Sequence, residues 1–522
     1  PKNLVADKEA LYIIGDMGCN EIPYIEQTFS DYIVIDHHLI EDSAIAERFN
    51  SSDNLLNPHS LTCEDGKSAE YCATGLAYRI SNCLITTYEE DINRTNGIVQ
   101  IINSRLSSQG ANYDIIKIAC EENGISLTES GADSFTASIN EQSVCNIVFG
   151  ANKEIANVSV IPSCEGLAAV SFPYNKAKGI IESPFDEKFR NTVDIIAGIG
   201  TVADCVNVLD EHSLNRAIIK NAMEKINNAT QTNIDYILGC ILTVSNIGTE
   251  DVTAKKIGFS VAPFFNAPSR MSPIIEQNGA QLMYNMLAAG DNSPYTQLAF
   301  CDMNELNIAR KNVKNAIKDE NYYSFVEAHR CGENRDDKVA IYLLSKEVPH
   351  TMCGIIASNL ADACDKPAIV FTPKINLETK ETTYVGSARN VPRMESLKAF
   401  LDNALSHANE QLKITYGGHN DAVGISSLNN LYEFEQVIKQ YQSEFREKAI
   451  KPIRLFIPAS EISSPETLDK ILSLEPLGQG FKLPPVLLEG KEERRSQLFK
   501  KGNPHWKTVR IAGAPDIADW DY

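Results

Sequence analysis

At 522 residues the chain exceeds what one hydrophobic core supports and implies roughly two to four domains, with the 43% hydrophobic and 22% charged residues of an ordinary globular protein. No apolar run reaches the roughly 18–20 residues of a membrane span, no basic-then-apolar signal segment opens the chain, and 13 scattered cysteines without a CxxC pair read as reduced, mostly buried thiols of a cytoplasmic protein. The net charge of −21 weighs against a nucleic-acid partner, although a local basic track is enough to hold one.

The first predicted strand, Leu11 to Ile14, ends in Gly15-Asp16-Met17-Gly18. The second, Tyr32 to Ile35, is apolar and β-branched, the pattern of a strand buried on both faces, and it stops in Asp36-His37-His38. With the helical segments between such runs, residues 1–60 read as a doubly wound parallel sheet. Three metal-competent groups in a row do not all fit a core. At the carboxyl end of a parallel strand they stand in the crevice where α/β sheets place ligands, with Asp16 from the neighbouring strand beside them. A plainer reading makes each Asp a helix N-cap and the histidines a hydrogen-bonded pair. Together the two strand ends favour a site.

Asn57-Pro58 follows, then Cys72 to Tyr78, where small residues interleave with apolar ones as in a helix packed closely on a sheet. Residues 80–190 carry no motif, only Asn/Ser-rich polar stretches and short apolar runs such as Val158 to Ile161 and Leu167 to Phe172. Val193 to Val206 is an apolar segment passing through Gly198 and Gly200 to an isolated acid, Asp204, and a lone buried carboxylate is costly unless paired or metal-bound. Arg270 falls on a Pro-rich loop as a candidate phosphate ligand. Leu306 to Ile317 is helical, with Leu306, Ala309, Val313, Ala316 and Ile317 on one face and Asn307, Arg310, Lys311 and Lys314 on a charged, solvent-facing one.

A second α/β domain spans about 321–430. It has a strand at Val339 to Leu344 and a loop, amphipathic helix and strand over His350 to Phe371. Then come Val385-Gly386-Ser387-Ala388-Arg389-Asn390 and Tyr416-Gly417-Gly418-His419-Asn420, followed by Ala422-Val423-Gly424. Paired glycines let the backbone approach a phosphate, while Ser387, Arg389 and His419 supply donors. In the tail, Leu474 to Gly480 and Pro484-Pro485 precede Lys491, Arg494, Arg495, Lys500, Lys501, Lys507 and Arg510, interleaved with Phe499, His505 and Trp506. That mixture suits single-strand binding by stacking and phosphate pairing.

The stretch Gly15 to Gly18, the triplet Asp36-His37-His38 and Gly200-Thr201-Val202-Ala203-Asp204 resemble successive motifs of the DHH phosphoesterase superfamily. Asn215-Arg216, Asn266-Ala267 with Arg270-Met271, Gly386-Ser387 with Arg389, and Gly417-Gly418-His419 narrow the resemblance to its RecJ-type single-strand-specific exonucleases. Phe264 and Ser269 depart from it, standing where the family has arginine and glycine.

The resemblance implies a parallel-sheet DHH domain over 1–290 with an insertion at about 80–190, and a connecting helix at 291–320. It further implies a smaller α/β DHH-associated domain over 321–430 and an incomplete OB-like β-barrel segment over 431–522. Its function would be a metal-dependent 5′-to-3′ exonuclease of DNA repair and recombination, using two Mn²⁺ or Mg²⁺ ions. Asp16, His37 and Asp204 would be ligands, Asp36 would orient the histidines, and His38 would meet phosphate or polarise the nucleophile. Arg270, Ser387, Arg389, Gly417, Gly418 and His419 would bind the strand. Partners implied are single-stranded DNA and a single-strand-binding protein or helicase, with no membrane and a monomeric state. Relatives that cleave short RNA oligomers or cyclic dinucleotides, and a non-catalytic single-strand binder, are the rival readings. The family's first motif, Asp-x-Asp-x-Asp-Gly, has no counterpart before Asp16. The expectation is a natural protein that extends N-terminally by several dozen residues and carries an Asp-x-Asp pair there.

Overall fold

The structure, a computed structural model, describes residues 7, 10–38, 40, 42–60, 69–109, 113–151, 154–164, 169–247, 252–275, 279–289, 292–345, 348–376, 380–391, 393–448, 455–458, 464–478, 486–489, 492–497, 506–511 and 517–520. They divide into two compact units: one runs through Gly258 and takes in Gly478, and the other begins at Phe259.

The first unit opens with β1 (Leu11–Gly15), α1 (Ile22–Thr28), β2 (Asp31–Ile35), α2 (Ser43–Ser51) and β3 (Leu55–Leu56), whose strands pair in parallel in the order β1-β2-β3. Register sets Tyr12 beside Tyr32 and Ile14 beside Val34, and onto this face pack Ile22 and Ile25 of α1 and Phe49 of α2. Both crossover helices therefore cover one face, which corrects the doubly wound expectation for residues 1–60. Same-handed crossovers that advance in one direction across a sheet stay on the same side. The other face leaves Leu11 and Ile13 of β1 at 58% and 67% exposure, while Ile35 of β2 is buried on it. Within β2 only Val34 and Ile35 are buried.

The small-residue segment at 72–78 starts α3 (Ala73–Gln109), a helix of 37 residues that continues into the motif-free region. With α4 (Tyr113–Glu122) it backs a five-stranded antiparallel sheet, β4 (Ile125–Gly131), β5 (Ser134–Ile139), β6 (Gln142–Phe149), β7 (Ile155–Val160) and β8 (Val170–Ser171), paired in chain order. Ile125, Leu127, Phe135, Ala137, Ile147 and Val158 join Ile98, Ile102 and Ile116 in a core of its own. The outer face is Ser, Thr and Asn, laced by Thr136 Oγ1 donating to Asn146 Oδ1 at 2.8 Å and by the Ser159 and Ser171 hydroxyls at 2.6 Å. The ribbon β9 (Tyr174–Asn175) and β10 (Ile180–Ile181) leads to α5 (Glu187–Ala203), α6 (Asn215–Asn227), α7 (Tyr236–Val244) and the short α8 (Ala254–Lys256).

Glycine sets how closely α5 packs. A Cβ on Gly198 would lie 2.1 Å from that of Ala222 on α6, and one on Gly200 would lie 2.5 Å from Thr74 Cγ2 on α3. The helix thus fits between its neighbours and stops with Asp204 as its C-cap.

The second unit has α9 (Ala262–Ile275), α10 (Gly279–Ala289), α11 (Pro294–Ile317) and α12 (Glu320–Arg330), then β11 (Ala340–Leu343), α13 (Cys353–Cys364), β12 (Ala368–Ile375), β13 (Thr382–Arg389), α14 (Leu397–Ser406), β14 (Ile414–His419), β15 (Ala422–Leu428) and α15 (Leu431–Tyr441). The sheet order is β11-β12-β13-β15-β14, parallel only between β11 and β12, around a core that includes Ile356, Leu360, Phe371, Val423 and Phe434. Two expectations are corrected. Arg270 lies on a helix, not a Pro-rich loop: α9 follows directly on a π-helical turn that ends at Val261, and Phe264, Ala267 and Met271 bury one stripe. On α11 the buried residues include Asn307 and Arg310, which were assigned to the solvent face.

The remaining elements are β16 (Leu455–Pro458) parallel to β17 (Val486–Glu489), with α16 (Pro465–Leu472) between them in sequence, and the antiparallel β18 (Glu492–Gln497), β19 (Trp506–Ile511) and β20 (Ile517–Trp520). Arg494 and Arg495 fall on β18, and Trp506, Lys507 and Arg510 on β19. Gln479, Gly480, Pro484, Pro485, Lys491, Phe499, Lys500, Lys501 and His505 lie outside the described residues. Among the described residues no helix is long and apolar enough to cross a membrane, and five of the cysteines (83, 164, 205, 301 and 331) are exposed, more than expected of buried thiols.

Gly198→Ala should destabilise the chain by about 1–3 kcal/mol through overpacking against Ala222. Gly97→Ala, on the same unit's α3 with nothing within 4 Å of the new Cβ, should be neutral or stabilising by up to about 1 kcal/mol. Urea titration of the two variants beside wild type gives the comparison.

Candidate active site

The strand ends of the first unit meet as the sequence implied. After β1 the backbone turns through φ 61° at Asp16, a left-handed conformation that Asp tolerates better than most residues, and the Asp16 N–H donates to the Ile35 carbonyl at 2.9 Å. The turn continues through Gly18 at φ 110°, where a Cβ would press on Ile25 at 3.0 Å. This carries the Asp16 carboxylate back over the end of β2. His37 Nε2 lies 3.0 Å from Asp16 Oδ1 and 3.5 Å from Asp204 Oδ2. One ligand atom from each of Asp16, His37 and His38 falls within a 4.8 Å cluster.

Asp36 sits beneath them at 1% exposure. Its Oδ1 accepts from the His37 N–H at 2.8 Å and the His38 N–H at 3.2 Å and lies 2.7 Å from His38 Nδ1, while Oδ2 accepts from the Cys19 N–H at 2.8 Å. Burial alone would raise the Asp36 pKa, but the His38 ring and the Cys19 and His38 N–H groups outweigh it and hold the carboxyl at about 2. Asp36 therefore stays ionised and draws the proton of His38 to Nδ1, which turns the Nε2 lone pair outward. It orients the His38 ring directly; the His37 ring answers instead to Asp16 and Asp204. Burial pulls the His37 pKa down, yet the Asp16 and Asp204 carboxylates more than reverse it and leave it raised.

Residues that sequence reasoning left out hold the backbone in place. Cys19 supplies the N–H under Asp36, and its thiol is pushed up to about 12 by burial and then by Asp36, so it remains a neutral thiol. Asn57, read only as packing, donates Nδ2 to the His38 carbonyl at 2.9 Å; the Asn-Pro pair at a strand end was its one signal. Buried Asn215 donates to the Asn207 carbonyl at 3.1 Å and to that of Glu70 at 2.5 Å, tying down the chain beyond Asp204.

The donor set fits a divalent cation. His37 Nε2 points at two carboxylates, and Asp204 places its charge at a helix C-terminus, where the macrodipole disfavours an anion that has no cation nearby. Asp16, His37 and Asp204 are the residues that would hold such an ion, with His38 in the same cluster.

In the second unit, register sets Ser387, Gly424 and Gly417 in one cross-strand row and Arg389, Ala422 and His419 in the next, so all six share one sheet face. Gly418 adopts φ 143°, and a Cβ there would strike the Ala422 carbonyl at 2.3 Å. Arg389 Nη1 donates to Ser387 Oγ at 2.7 Å. The start of α13 lies against them: a Cβ on Gly354 would come within 2.9 Å of Arg389 Nη2 and 3.5 Å of Ser387 Oγ. Arg270 reaches the same turn, its Nη1 donating to the Thr351 carbonyl at 3.0 Å. Arg270, Ser387 and Arg389 thus all border residues 351–354, where α13 begins without a side-chain cap.

The molecule is thus an α/β protein with a metal-competent centre at its parallel strand ends and a glycine-lined basic face in its second sheet. No family model matches the chain. Over 315 residues it is 24% identical to the single-stranded-DNA-specific exonuclease RecJ of Haemophilus influenzae, covering 59% of this chain and 50% of that protein. Over 344 residues it is 25% identical to the RecJ of Salmonella typhimurium, covering 63% and 55%. The crystal structure of RecJ in complex with Mn²⁺ from Thermus thermophilus matches with a TM-score of 0.55 at 17% identity, over 98% of this chain and 56% of that one. The chain spans about half the length of the curated relatives it matches. The resemblance to RecJ-type exonucleases is borne out in sequence, and the fold is shared.

The depressed Asp36 pKa makes a stability prediction. Its contribution is complete above the unfolded value of 3.8 and is lost as pH falls toward the folded value of about 2. The loss should amount to about 2 kcal/mol. Urea unfolding between pH 5 and 3 should show about half of that decline in wild type, and a shallower one in Asp36→Asn.

Proposed function

We propose that this chain is a metal-dependent phosphodiesterase that trims single-stranded DNA from its 5′ end. The observation that carries the proposal is His37 Nε2 facing the Asp16 and Asp204 carboxylates, with His38 in the same cluster. The likeness to proteins named as single-stranded-DNA-specific exonucleases supports the substrate class.

In this reading Asp16, His37 and Asp204 would hold the divalent ions. Bound there, Mn²⁺ or Mg²⁺ supplies Lewis acidity toward a phosphoryl oxygen and lowers the pKa of water, and the mixed imidazole and carboxylate set suits Mn²⁺ at least as well as Mg²⁺. Asp36 keeps the Nδ1 proton on His38, so that Nε2 accepts from the attacking water. Ser387, Arg389 and Arg270 take the 5′-terminal phosphate beside residues 351–354. Gly417 and His419 lie on the same sheet face as Ser387 and Arg389, and Gly417 and Gly418 let the strand approach the backbone. The reading carries with it a cytoplasmic monomer and a single-strand-binding protein or helicase as partner.

Digestion of 5′- and 3′-labelled single strands with Mn²⁺, beside a duplex and a dinucleotide, tests this. Loss of label from the 5′ end first is expected; cleavage of the dinucleotide alone, or binding without cleavage, would replace the proposal. Asp204→Ala should keep the fold yet lose Mn²⁺-dependent cleavage, with weakened Mn²⁺ binding in calorimetry. Arg389→Ala should cost about ten- to a hundredfold in kcat/KM on 5′-phosphorylated strands and much less on 5′-hydroxyl strands. Equal loss on both would remove Arg389 from the phosphate grip.

A further inference from the structure

In the first unit α5 ends at Ala203 and α6 begins at Asn215, so Asp204 opens a turn-rich crossing, and Cys205 at φ 56° breaks the helix directly after it. One short stretch, residues 70–75, grips the chain on both sides of Asp204. Ahead of it, the Cys72 thiol donates to Thr201 Oγ1 at 3.7 Å, and Thr74 packs on the bare Cα of Gly200. Beyond it, the Leu214 N–H donates to the Tyr71 hydroxyl at 2.9 Å and the Glu70 N–H donates to Asp210 Oδ2 at 2.8 Å. Asn215 Nδ2 donates back to the Glu70 carbonyl.

Tyr71 is itself firmly held. It is 5% exposed, and Arg79 of α3 donates Nη1 to the same hydroxyl at 3.1 Å, with its guanidinium 5.6 Å from the ring centroid. A Cβ on Gly75 would lie 3.3 Å from the ring edge, so the first turn of α3 packs on the phenol as well. The hydroxyl at the far end of the crossing is therefore a fixed point.

The grip matters because of charge. Asp16 and Asp204 both face His37 Nε2, at 3.0 and 3.5 Å, and two carboxylates around one neighbour repel each other until a cation lies between them. A carboxylate at a helix end followed by turns relieves that repulsion by moving away unless the chain beyond it is anchored. An anchored ligand needs no reorganisation when the ion binds.

Resting on the reading of Asp204 as a metal ligand, we propose that Tyr71 is a positioning residue for the centre. Its hydroxyl, through the Leu214 N–H, fixes the far end of the 205–214 crossing and so keeps Asp204 at His37 before any ion arrives. Tyr71 acts through the backbone, on affinity for the ion rather than on the chemistry.

The test is calorimetric titration of the full chain with Mn²⁺, beside urea unfolding, on Tyr71→Phe, which loses one oxygen and keeps the ring. The matched control is Tyr78→Phe, which removes a hydroxyl that links α3 to α5 by donating to Asp194 Oδ1 at 2.6 Å. Tyr71→Phe should weaken Mn²⁺ binding about five- to tenfold and raise the Mn²⁺ needed for half-maximal cleavage to match, and saturating Mn²⁺ should restore the wild-type rate. Tyr78→Phe should lower stability without moving Mn²⁺ binding. Unchanged Mn²⁺ binding in Tyr71→Phe, an equal loss in Tyr78→Phe, or a rate that saturating Mn²⁺ does not restore would overturn the proposal. If Tyr71→Phe does not fold, Arg79→Met decides in its place, weaker Mn²⁺ binding supporting the grip and unchanged binding overturning it. Weaker binding in Asp204→Ala with Tyr71→Phe at wild-type affinity overturns this inference alone. If wild type binds no Mn²⁺, or Asp204→Ala binds it as tightly, the metal reading fails and this inference with it.

Discussion

The strand-end site depends on a single buried carboxylate. Asp36 has almost no contact with water, so its charge persists only because the chain surrounds it with donors: backbone N–H groups from Cys19, His37 and His38, and the His38 ring. Satisfying Asp36 in this way fixes the peptide planes of the triplet and the tautomer of one imidazole. It also brings the β1 turn, through Cys19, against the end of β2. The residues that would bind a metal are exposed or half-exposed; the one that arranges them is not.

The other approach to the centre is governed by absent side chains. Gly198 and Gly200 let α5 lie closer to α6 and α3 than any residue with a Cβ would allow, and that closeness delivers Asp204 within 3.5 Å of His37. An acid at a helix C-terminus and an Asp in the left-handed region are each mildly unfavourable. Both occur at the same small cluster, which is where a fold can carry such costs for the sake of chemistry.

Much of the centre was legible because its signal is local. An apolar run that stops in Asp-His-His, and another that stops in Gly-Asp, announce strand ends whatever the rest of the chain does. The phosphate-binding candidates were legible through their glycines, and register then showed why Ser387 and Arg389 alternate with apolar neighbours. What failed to read were cases where tertiary packing overrides local chemistry. Prolines 263 and 268 suggested a loop, yet the stripe of Phe264, Ala267 and Met271 makes a helix. Arg310 looked solvated because cations on helices usually are, and nothing local signals that tertiary packing buries it. The five-stranded sheet was missed for a different reason: its outer positions are Ser, Thr and Asn, residues that turns also favour, so strand and loop blur together.

The length of α3 has a mechanical consequence. Its first turn packs Thr74 against Gly200, one turn before α5 gives way to Asp204, while its far half forms the floor of the five-stranded antiparallel sheet. At 37 residues an unbroken α-helix measures about 55 Å. A rod of that kind transmits tilt better than it absorbs it. A load on the Ser/Thr-rich face, whatever supplies it, would reach the strand-end centre as a lever reaches its fulcrum, with small displacements at the short arm and little lost to bending on the way.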